Sequence, residues 1–575
     1  MKKISVIFLI IGVIAIAAYF FVRHSLNTPG FTPAEAKEPV AETKHEETVL
    51  DLRPKLIEKL QQLVKQGSNG LYNLSVHEVN PDVLNSTVGI SHAMLVPDTA
   101  ALKEFAKTNH LPSEVFKIES DSIWITGLGI KDILSKDVID VKTIHIYRPV
   151  INVYSEKASN DENRDSKTLY QRLMNQMKHI GIGRVIIEKG TLIHHSKNKS
   201  TKFDDIAISL SNIAIDSTTQ YDHKRFLFAK EAELSLNNYS VPTSDHLYTF
   251  KIGTISVAAT KQLLVAKNIV LQPNYTKEEF QKHLAVQNER YEISVPSVSF
   301  KTVDWWNLIN EQKLEASFGE INIADIKIYL DRRLPSGPEI FGTYPHQLLM
   351  KLPLKVNIQK LNVNDLDLSY EEFSKASGKP GKFFFNNMHG SIYNVTNMPE
   401  VIKRNKTTTV HATGTFMNIE PTQLDIYFDL ANYRAGTFSA DFQAKKTIDG
   451  TAINSIAEPL GLFMVKRGEL KELSSHVRGD NYKASGNVTL LYSNLHLTPL
   501  KKDESKPNGL KKKSVTSLIA NTFVLKDENP SKDGEVRKVT ASYTRGKGTF
   551  FNLIWKTIFV GILKTIGAPE KLAYQ

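Results

Sequence analysis

The residue types that most often do chemistry are present in this chain of 575 residues, but not at the spacings that chemistry requires. There is no Gly-x-Ser-x-Gly elbow, no phosphate-binding Gly-x-x-x-x-Gly-Lys-Ser/Thr loop and no His-Glu-x-x-His helix. Cysteine is absent, which excludes disulfides, thiolate metal ligands and cysteine nucleophiles. The sequence therefore predicts a protein that is not an enzyme, with no catalytic residues, no metal site and no cofactor.

The histidines and carboxylates of the sequence do not indicate a site either. His194 and His195 are adjacent, and neighbouring strand residues point to opposite faces, so they are poorly placed to bind one metal ion. A hydrolase acting on envelope polymers would need two carboxylates that converge in a cleft. The 61 Asp and Glu residues are too numerous for the sequence to nominate any pair.

The N-terminus predicts a membrane anchor. Lys2 and Lys3 precede residues 4–22, which carry no charge and as a helix would span about 28 Å, close to the hydrocarbon thickness of a bilayer. The two lysines favour a cytoplasmic N-terminus. A cleaved signal peptide is the alternative, since Ala-Ile-Ala at 15–17 resembles a cleavage site, but the apolar run continues past it.

Positive charge is concentrated near the C-terminus. The formal net charge is +11, and residues 501–575 contain 15 Lys or Arg against 7 Asp or Glu. A basic surface attracts anionic lipid headgroups or nucleic acid. Because the anchor implies export, we expect a membrane surface rather than nucleic acid as the partner.

Five apolar positions recur at the spacing i, i+2, i+5, i+7 and i+9. The pattern begins at Ile144, Ile321 and Leu361, with a looser copy at Val185 and a partial copy at Ile123. The first two positions share one face of a strand, and the last three would fall on the other face. A β-bulge or a two-residue hairpin would return all five to one face. The intervening residue pairs lack Asn-Gly, which favours a bulged, bent strand.

Bent strands with one continuous apolar face predict a long curved sheet. Such a sheet can cover that face with a second sheet, close into a barrel, or keep a hydrophobic groove for a guest molecule. The nine repeat positions predicted to line such a groove are Ile144, Ile146, Ile151, Ile321, Ile323, Ile328, Leu361, Val363 and Leu368.

The last helix is predicted within residues 549–575. Its apolar residues recur at helical spacing, with Lys556 and Lys564 on one flank. A helix with Trp, Phe and Lys is typical of a membrane interface, but the same pattern fits a helix packed across the end of the sheet. The residues predicted to contact a membrane are Phe551, Ile554, Trp555, Ile558, Phe559 and Ile562.

The predicted fold is mainly β, an elongated and curved, groove-like, antiparallel-rich sheet of repeated bent strands with one transmembrane helix and a few short helices. The sequence shows no regular alternation of strands and helices, so a doubly wound parallel sheet is not expected. The predicted regions are 1–22 (cytoplasmic tip and transmembrane helix), 23–50 (flexible linker), 51–340 (N-terminal β-repeat region), 341–500 (C-terminal β region), 501–548 (basic loop and strands) and 549–575 (amphipathic helix).

The order of these regions resembles the AsmA-like envelope proteins of double-membraned bacteria. The segments that carry the likeness are 144–154, 323–331, 473–497 and 551–564. The resemblance implies a groove-shaped β body in the periplasm, held by a single-pass anchor in the inner membrane with its N-terminus in the cytoplasm. It supplies no catalytic residues to transfer.

Two functions fit this combination of features. In the first, the protein handles or transports lipid, or supports outer-membrane assembly and maintenance, with phospholipid or another acyl-chain ligand in the groove. In the second, it is a non-enzymatic periplasmic scaffold with a closed β core that binds an envelope protein. An open apolar groove would favour the first function, and paired, dry sheet faces the second.

Overall fold

A computed structural model describes residues 71–574 and isolated positions between 54 and 70. Within 71–574 it leaves out 83–84, 108–113, 128–137, 156–178, 197–198, 220–221, 223, 227, 237–238, 244, 306, 312, 338–340, 353, 504, 506–508, 513–524 and 546–549. The anchor predicted at 4–22 and the linker predicted at 23–50 lie outside the described residues. No helix within the described part of the chain is long and apolar enough to cross a bilayer.

Two large sheets dominate the described residues, which confirms the mainly β fold class. The first sheet contains β1 (Tyr72–Asp82), β2 (Thr87–Pro97), β3 (Glu114–Thr126), β4 (Val138–Tyr147), β5 (Val150–Ser155), β6 (His179–Ser196), β7 (Lys199–Ile215) and β8 (Ala229–Leu236). Most neighbouring strands are antiparallel, but β4 and β5 both run parallel to β6.

The second sheet has 16 strands. These are β9 (Tyr239–Pro242), β10 (Tyr248–Ala258), β11 (Leu263–Pro273), β12 (Arg290–Lys301), β13 (Lys313–Asn322), β14 (Asp325–Asp331), β15 (Lys355–Phe373), β16 (Pro380–Thr396), β17 (Thr407–Phe416), β18 (Ile419–Asp429), β19 (Phe438–Ala444), β20 (Ile448–Asp449), β21 (Phe463–Gly479), β22 (Lys483–Asp503), β23 (Gly509–Lys512) and β24 (Val539–Thr544). Here β13 and β14 run parallel to β15.

The α-helices of the described residues are short, as predicted. They are α1 (Thr99–Lys107), α2 (Lys277–Lys282), α3 (Pro345–Met350), α4 (Pro399–Ile402), α5 (Asn454–Gly461) and α6 (Phe550–Ile566). The described residues also contain a π-helical turn at Asn307–Glu311.

The five-position repeat marks bent strands, and the bulge interpretation is confirmed. The residues at the breaks have positive φ angles, +47° at Arg148, +52° at Lys189, +54° at Ile323 and +55° at Asp365. The pairing register shifts after Ile187 in β6 and at the corresponding place in β15, yet both strands continue past the break. A hairpin would have reversed the chain at these points, so the hairpin alternative is excluded.

The strands of the first half are repeated in the second half with the same pairing. β3 pairs with both β4 and β5, as β12 does with β13 and β14, and each pair of split strands runs parallel to one long strand. The Tyr72 hydroxyl accepts a hydrogen bond from the backbone N of Phe116 (3.0 Å), and the Tyr248 hydroxyl accepts one from that of Tyr291 (3.1 Å). We call β1–β8 module 1 and β10–β17 module 2.

A continuous buried cluster joins the two modules. Leu192 and Phe203 of module 1 belong to the same cluster as Phe250 and Ile255 of β10. A second cluster lies among β18–β24 and α6. The apolar face of module 1 is therefore covered within the chain, and the region around α6 has a core of its own.

Candidate functional site

A cavity of about 460 Å³ lies between α6 and the second sheet. Its walls come from β14–β19, β21 and β22, and from α5 and α6. Most of the side chains that line it are aliphatic or aromatic, and the charged lining residues include Lys446 and Glu472. A pocket of this size and character is typical of sites for apolar small molecules.

Simple alternation along the strands produces the apolar wall. In β19, Phe438, Ala440, Phe442 and Ala444 are all buried, whereas the residues between them are only half-buried. Successive side chains of a strand point to opposite faces, so this one strand presents its Phe and Ala residues to the same side. Across the β18–β19 pair, Phe442 stands opposite Leu424, and both line the cavity.

The opposite face of these strands is polar. Asp425 and Asp441 stand opposite each other on β18 and β19. His411 Nδ1 lies 2.6 Å from Asp425 Oδ1, and His476 Nδ1 lies 2.5 Å from Asp441 Oδ1. No group of three or more His, Asp or Glu within the described residues could hold a metal ion. This row therefore serves as a hydrogen-bonded outer surface of the sheet.

Aromatic contacts and a glycine position α6. The Phe550 ring lies 4.9 Å from that of Phe438 and 5.3 Å from that of Phe428, centroid to centroid. Farther along, a β-carbon at Gly561 would collide with the Val488 side chain of β22. The missing side chain therefore allows the helix to approach the sheet closely. This packing offsets the low helix propensity of glycine.

The C-terminal end of α6 is capped by groups from β22 and from the segment that precedes β24. The Tyr492 hydroxyl and the Arg537 Nη1 both donate to the Thr565 carbonyl, at 3.2 and 3.0 Å, and the Lys526 backbone N donates to the Ile566 carbonyl at 3.0 Å. The last carbonyls of a helix lack partners within the helix and carry partial negative charge. These donors, including one cation, hold the end of α6 in place.

A group of buried charges lies beside the helix. Lys556 of α6 is 3% exposed and interacts electrostatically with Glu372 of β15, whose Oε1 lies 3.2 Å from Arg332 Nε. Burial disfavours the ionised form of Glu372, but the positive charges of Arg332 and Lys556 hold its pKa below the ordinary value. Burial lowers the pKa of Lys556. Removing Glu372 would leave two buried cations without a counter-charge, so this carboxylate ties α6 to module 2.

Two polar atoms in the cavity lining have no hydrogen-bond partner. They are Ser475 Oγ on β21 and Trp555 Nε1 on α6. The Trp555 ring packs against those of Phe383, at 5.5 Å between centroids, and Phe559, at 5.0 Å. The indole is therefore fixed by packing rather than by a hydrogen bond.

The nine predicted groove residues do not share one site. Ile328, Val363 and Leu368 line the cavity. Ile151, Ile321 and Leu361 pack against the cluster that joins the modules, Ile144 packs against a smaller cluster of module 1, and Ile146 is half-buried. Ile323 is 61% exposed, because the backbone break falls on this residue.

The six residues of α6 predicted to contact a membrane all line the cavity. Five of them pack with the cluster around the helix, namely Ile554, Trp555, Ile558, Phe559 and Ile562, and Phe551 is 39% exposed. The helix therefore packs across the sheet, which is the alternative that the sequence left open.

The sequence did not single out the residues of β18, β19 and β21 that complete the cavity. Their alternation is visible in the sequence, for example in Phe438–Ala444. What marks them as cavity residues, however, is the helix that crosses above them. Comparison with protein-family models, curated proteins and solved structures gives no match for this chain.

Proposed function

We propose that this chain is an envelope lipid-handling protein that binds an acyl chain in the cavity beneath α6. The observation that carries the proposal is a cavity of about 460 Å³ whose walls are built almost wholly of apolar side chains. Each methylene that moves from water into such a cavity gains about 0.8 kcal/mol. A long acyl chain therefore has enough methylenes to bind tightly without any charged contact.

The remaining features of the sequence fit the same proposal. An anchor at 4–22 would hold the protein in the inner membrane, with the β body and its groove-like sheet in the periplasm. The excess of Lys and Arg in residues 501–575 would bring the C-terminal region to anionic lipid headgroups. The protein would then bind its ligand close to the membrane that supplies it, in lipid transport or in outer-membrane assembly and maintenance.

Lipid co-purification tests the proposal. The full chain is extracted in mild detergent, and bound lipid is quantified by native mass spectrometry for wild type and for Ala440→Trp. Ala440 is 2% exposed and lines the cavity, so an indole at this position would occupy the space of the ligand. We expect wild type to retain acyl lipid and the variant to lose most of it.

Ala100→Trp is the matched control, because Ala100 is exposed on α1, away from the cavity. Circular dichroism is used to check that both variants fold. Ala412→Leu is a further variant that fills less of the same cavity. Equal lipid content in all the folded variants would contradict the proposal. A wild-type chain that carries no lipid would favour the scaffold with a closed core.

A further inference from the structure

The cations of the C-terminal region differ in how much of their charge reaches solvent. Arg545 and Lys556 are buried. Others alternate with acidic residues, as Lys532 does with Asp533. Four exposed lysines instead share one hairpin, formed by the end of β22 and by β23; they are Lys501, Lys502, Lys511 and Lys512. The structure therefore concentrates exposed positive charge on this hairpin, which we call the basic hairpin and define by residues 500–503 and 509–512.

The arrangement of charges on the basic hairpin does not favour its own stability. Lys501 stands directly opposite Lys511 in the strand register, and like charges at opposite positions of an antiparallel pair destabilise it. Lys511 Nζ lies 3.1 Å from Asp503 Oδ1. By contrast, Lys501, Lys502 and Lys512 form no ion pair with a described carboxylate. A negatively charged surface outside the protein would relieve the repulsion between these lysines.

The basic hairpin is fixed to one end of the cavity wall. Leu497 of β22 lines the cavity, and the hairpin begins at Leu500 of the same strand. The Leu500 backbone N donates to the Leu462 carbonyl at 2.7 Å, and the Leu500 side chain is buried. Because an extended chain advances by at most about 3.6 Å per residue, Lys501 lies within about 15 Å of Leu497. A partner that binds the hairpin therefore comes close to this end of the cavity.

We propose that the basic hairpin docks on an anionic lipid bilayer and so holds the adjacent end of the cavity near the lipid headgroups. This docking rests on the proposed function and adds to it the surface through which the protein meets a membrane, a surface separate from α6. Exposed ammonium groups are attracted to anionic headgroups, and each lysine near such a surface strengthens binding roughly 5-fold. Three lysines without an ion-pair partner therefore contribute on the order of 100-fold.

Vesicle binding by the full chain tests the docking. The chain is held in nanodiscs of phosphatidylcholine, and its flotation is measured with vesicles of pure phosphatidylcholine and with vesicles of two parts phosphatidylcholine to one part phosphatidylglycerol. We expect the chain to bind the anionic vesicles and not the neutral ones, and added salt to weaken this binding because it screens exposed charges. The triple variant Lys501→Gln, Lys502→Gln and Lys512→Gln should lose affinity by on the order of 100-fold.

A matched control removes three exposed lysines from β8, from the turn after β10 and from β11, and it carries Lys230→Gln, Lys261→Gln and Lys267→Gln. This control lowers the net charge by the same amount and should keep the wild-type affinity. Arginine at the three hairpin positions keeps the charge and should also keep the docking. Circular dichroism and the lipid content measured by native mass spectrometry should be the same in all these variants, because none of the replaced residues lines the cavity.

Two results would overturn the docking: equal affinity of wild type and the triple glutamine variant, or equal binding of wild type to neutral and anionic vesicles. Binding of a DNA duplex as tight as that of the anionic vesicles would overturn it too, since the hairpin would then recognise polyanions in general. In each case the lipid content tests the proposed function separately. If the anionic vesicles are bound but no variant carries lipid, the proposed function fails and the docking surface alone remains.

Discussion

The two modules use the same strand pairing but cover the same face differently. In module 1, Leu192 stands opposite Phe203, and both are buried, 3% and 5% exposed, in the cluster that joins the modules. The corresponding pair in module 2 is Leu368 opposite Phe385, and both are half-buried and line the cavity. The face of module 1 shares its cluster with β10 and β11, whereas that of module 2 meets a helix across a cavity.

This difference shows that the pattern within the strands and the element that covers them determine different features of the structure. Bulges and alternation fix which residues share a face, and they do so equally in both modules. Whether that face becomes solid core or cavity wall depends on the element that covers it. Close packing is the rule for protein interiors, so the cavity of module 2 is the exception that a function would explain.

The largest expected difference between the modules is in the stability cost of removing an equivalent aromatic ring. Phe203→Ala should lower the free energy of unfolding by about 3–5 kcal/mol, because the ring is fully packed. Phe385→Ala should cost clearly less, because part of that ring already borders empty space. Urea denaturation followed by circular dichroism measures both changes. Equal losses would show that the cavity is filled or collapsed in solution.

The connection from β14 to β15 contains a buried histidine that should make the free energy of unfolding depend on pH. His346 of α3 is 2% exposed, and burial lowers its pKa from 6.5 to about 4. Between pH 6.5 and about 4, the unfolded chain binds a proton that the folded chain does not. The contribution of the neutral histidine to the free energy of unfolding is therefore complete above pH 6.5 and is lost as the pH falls towards 4. The loss should amount to roughly 3 kcal/mol.

The variant His346→Phe isolates this effect, since phenylalanine can keep the stacking on Phe428, whose ring centroid lies 4.9 Å away. Unfolding measured at several pH values should show a shallower decline for the variant. Parallel declines for wild type and variant would mean that the histidine is already protonated in the folded state or open to water.

The smallest expected effect is that an Ala→Leu substitution changes the free energy of unfolding in opposite directions at two positions. Ala412 lines the cavity, so Ala412→Leu should raise stability by about 1–2 kcal/mol by burying new methylenes. Ala232 of β8 is 2% exposed in the closed cluster, so Ala232→Leu should instead cost about 1–3 kcal/mol through overpacking. Thermal denaturation of the ligand-free chain compares the two, and destabilisation by both substitutions would contradict an empty cavity.

The sequence predicted the local features of this fold better than its long-range contacts. Strand alternation and the bulges at Lys189 and Asp365 could be predicted because each depends on a pattern of about ten consecutive residues. The duplication of the modules is not evident in the sequence, because corresponding strands share a pattern of apolar and polar positions rather than identical residues. The pattern predicts Ile323 in the groove, but the break falls on this residue and exposes it.

The cavity was beyond sequence reasoning for a related reason. The pattern of α6 fits a membrane interface and a sheet surface equally well, and the choice depends on partners far away in the chain. Lys556 looks like a solvated flank in the sequence, but it is buried beside Glu372 of β15. Periodicity within a helix cannot reveal such a partner.

The position of α6 also bears on how this protein avoids association with other chains. In arrays of tandem units, an uncovered apolar face invites association, and a terminal element with a polar outer side prevents it. Strands β18–β24 continue the second sheet beyond module 2, and α6 packs against the apolar side chains of these strands. The helix thus shields an apolar sheet face that a second chain could otherwise cover.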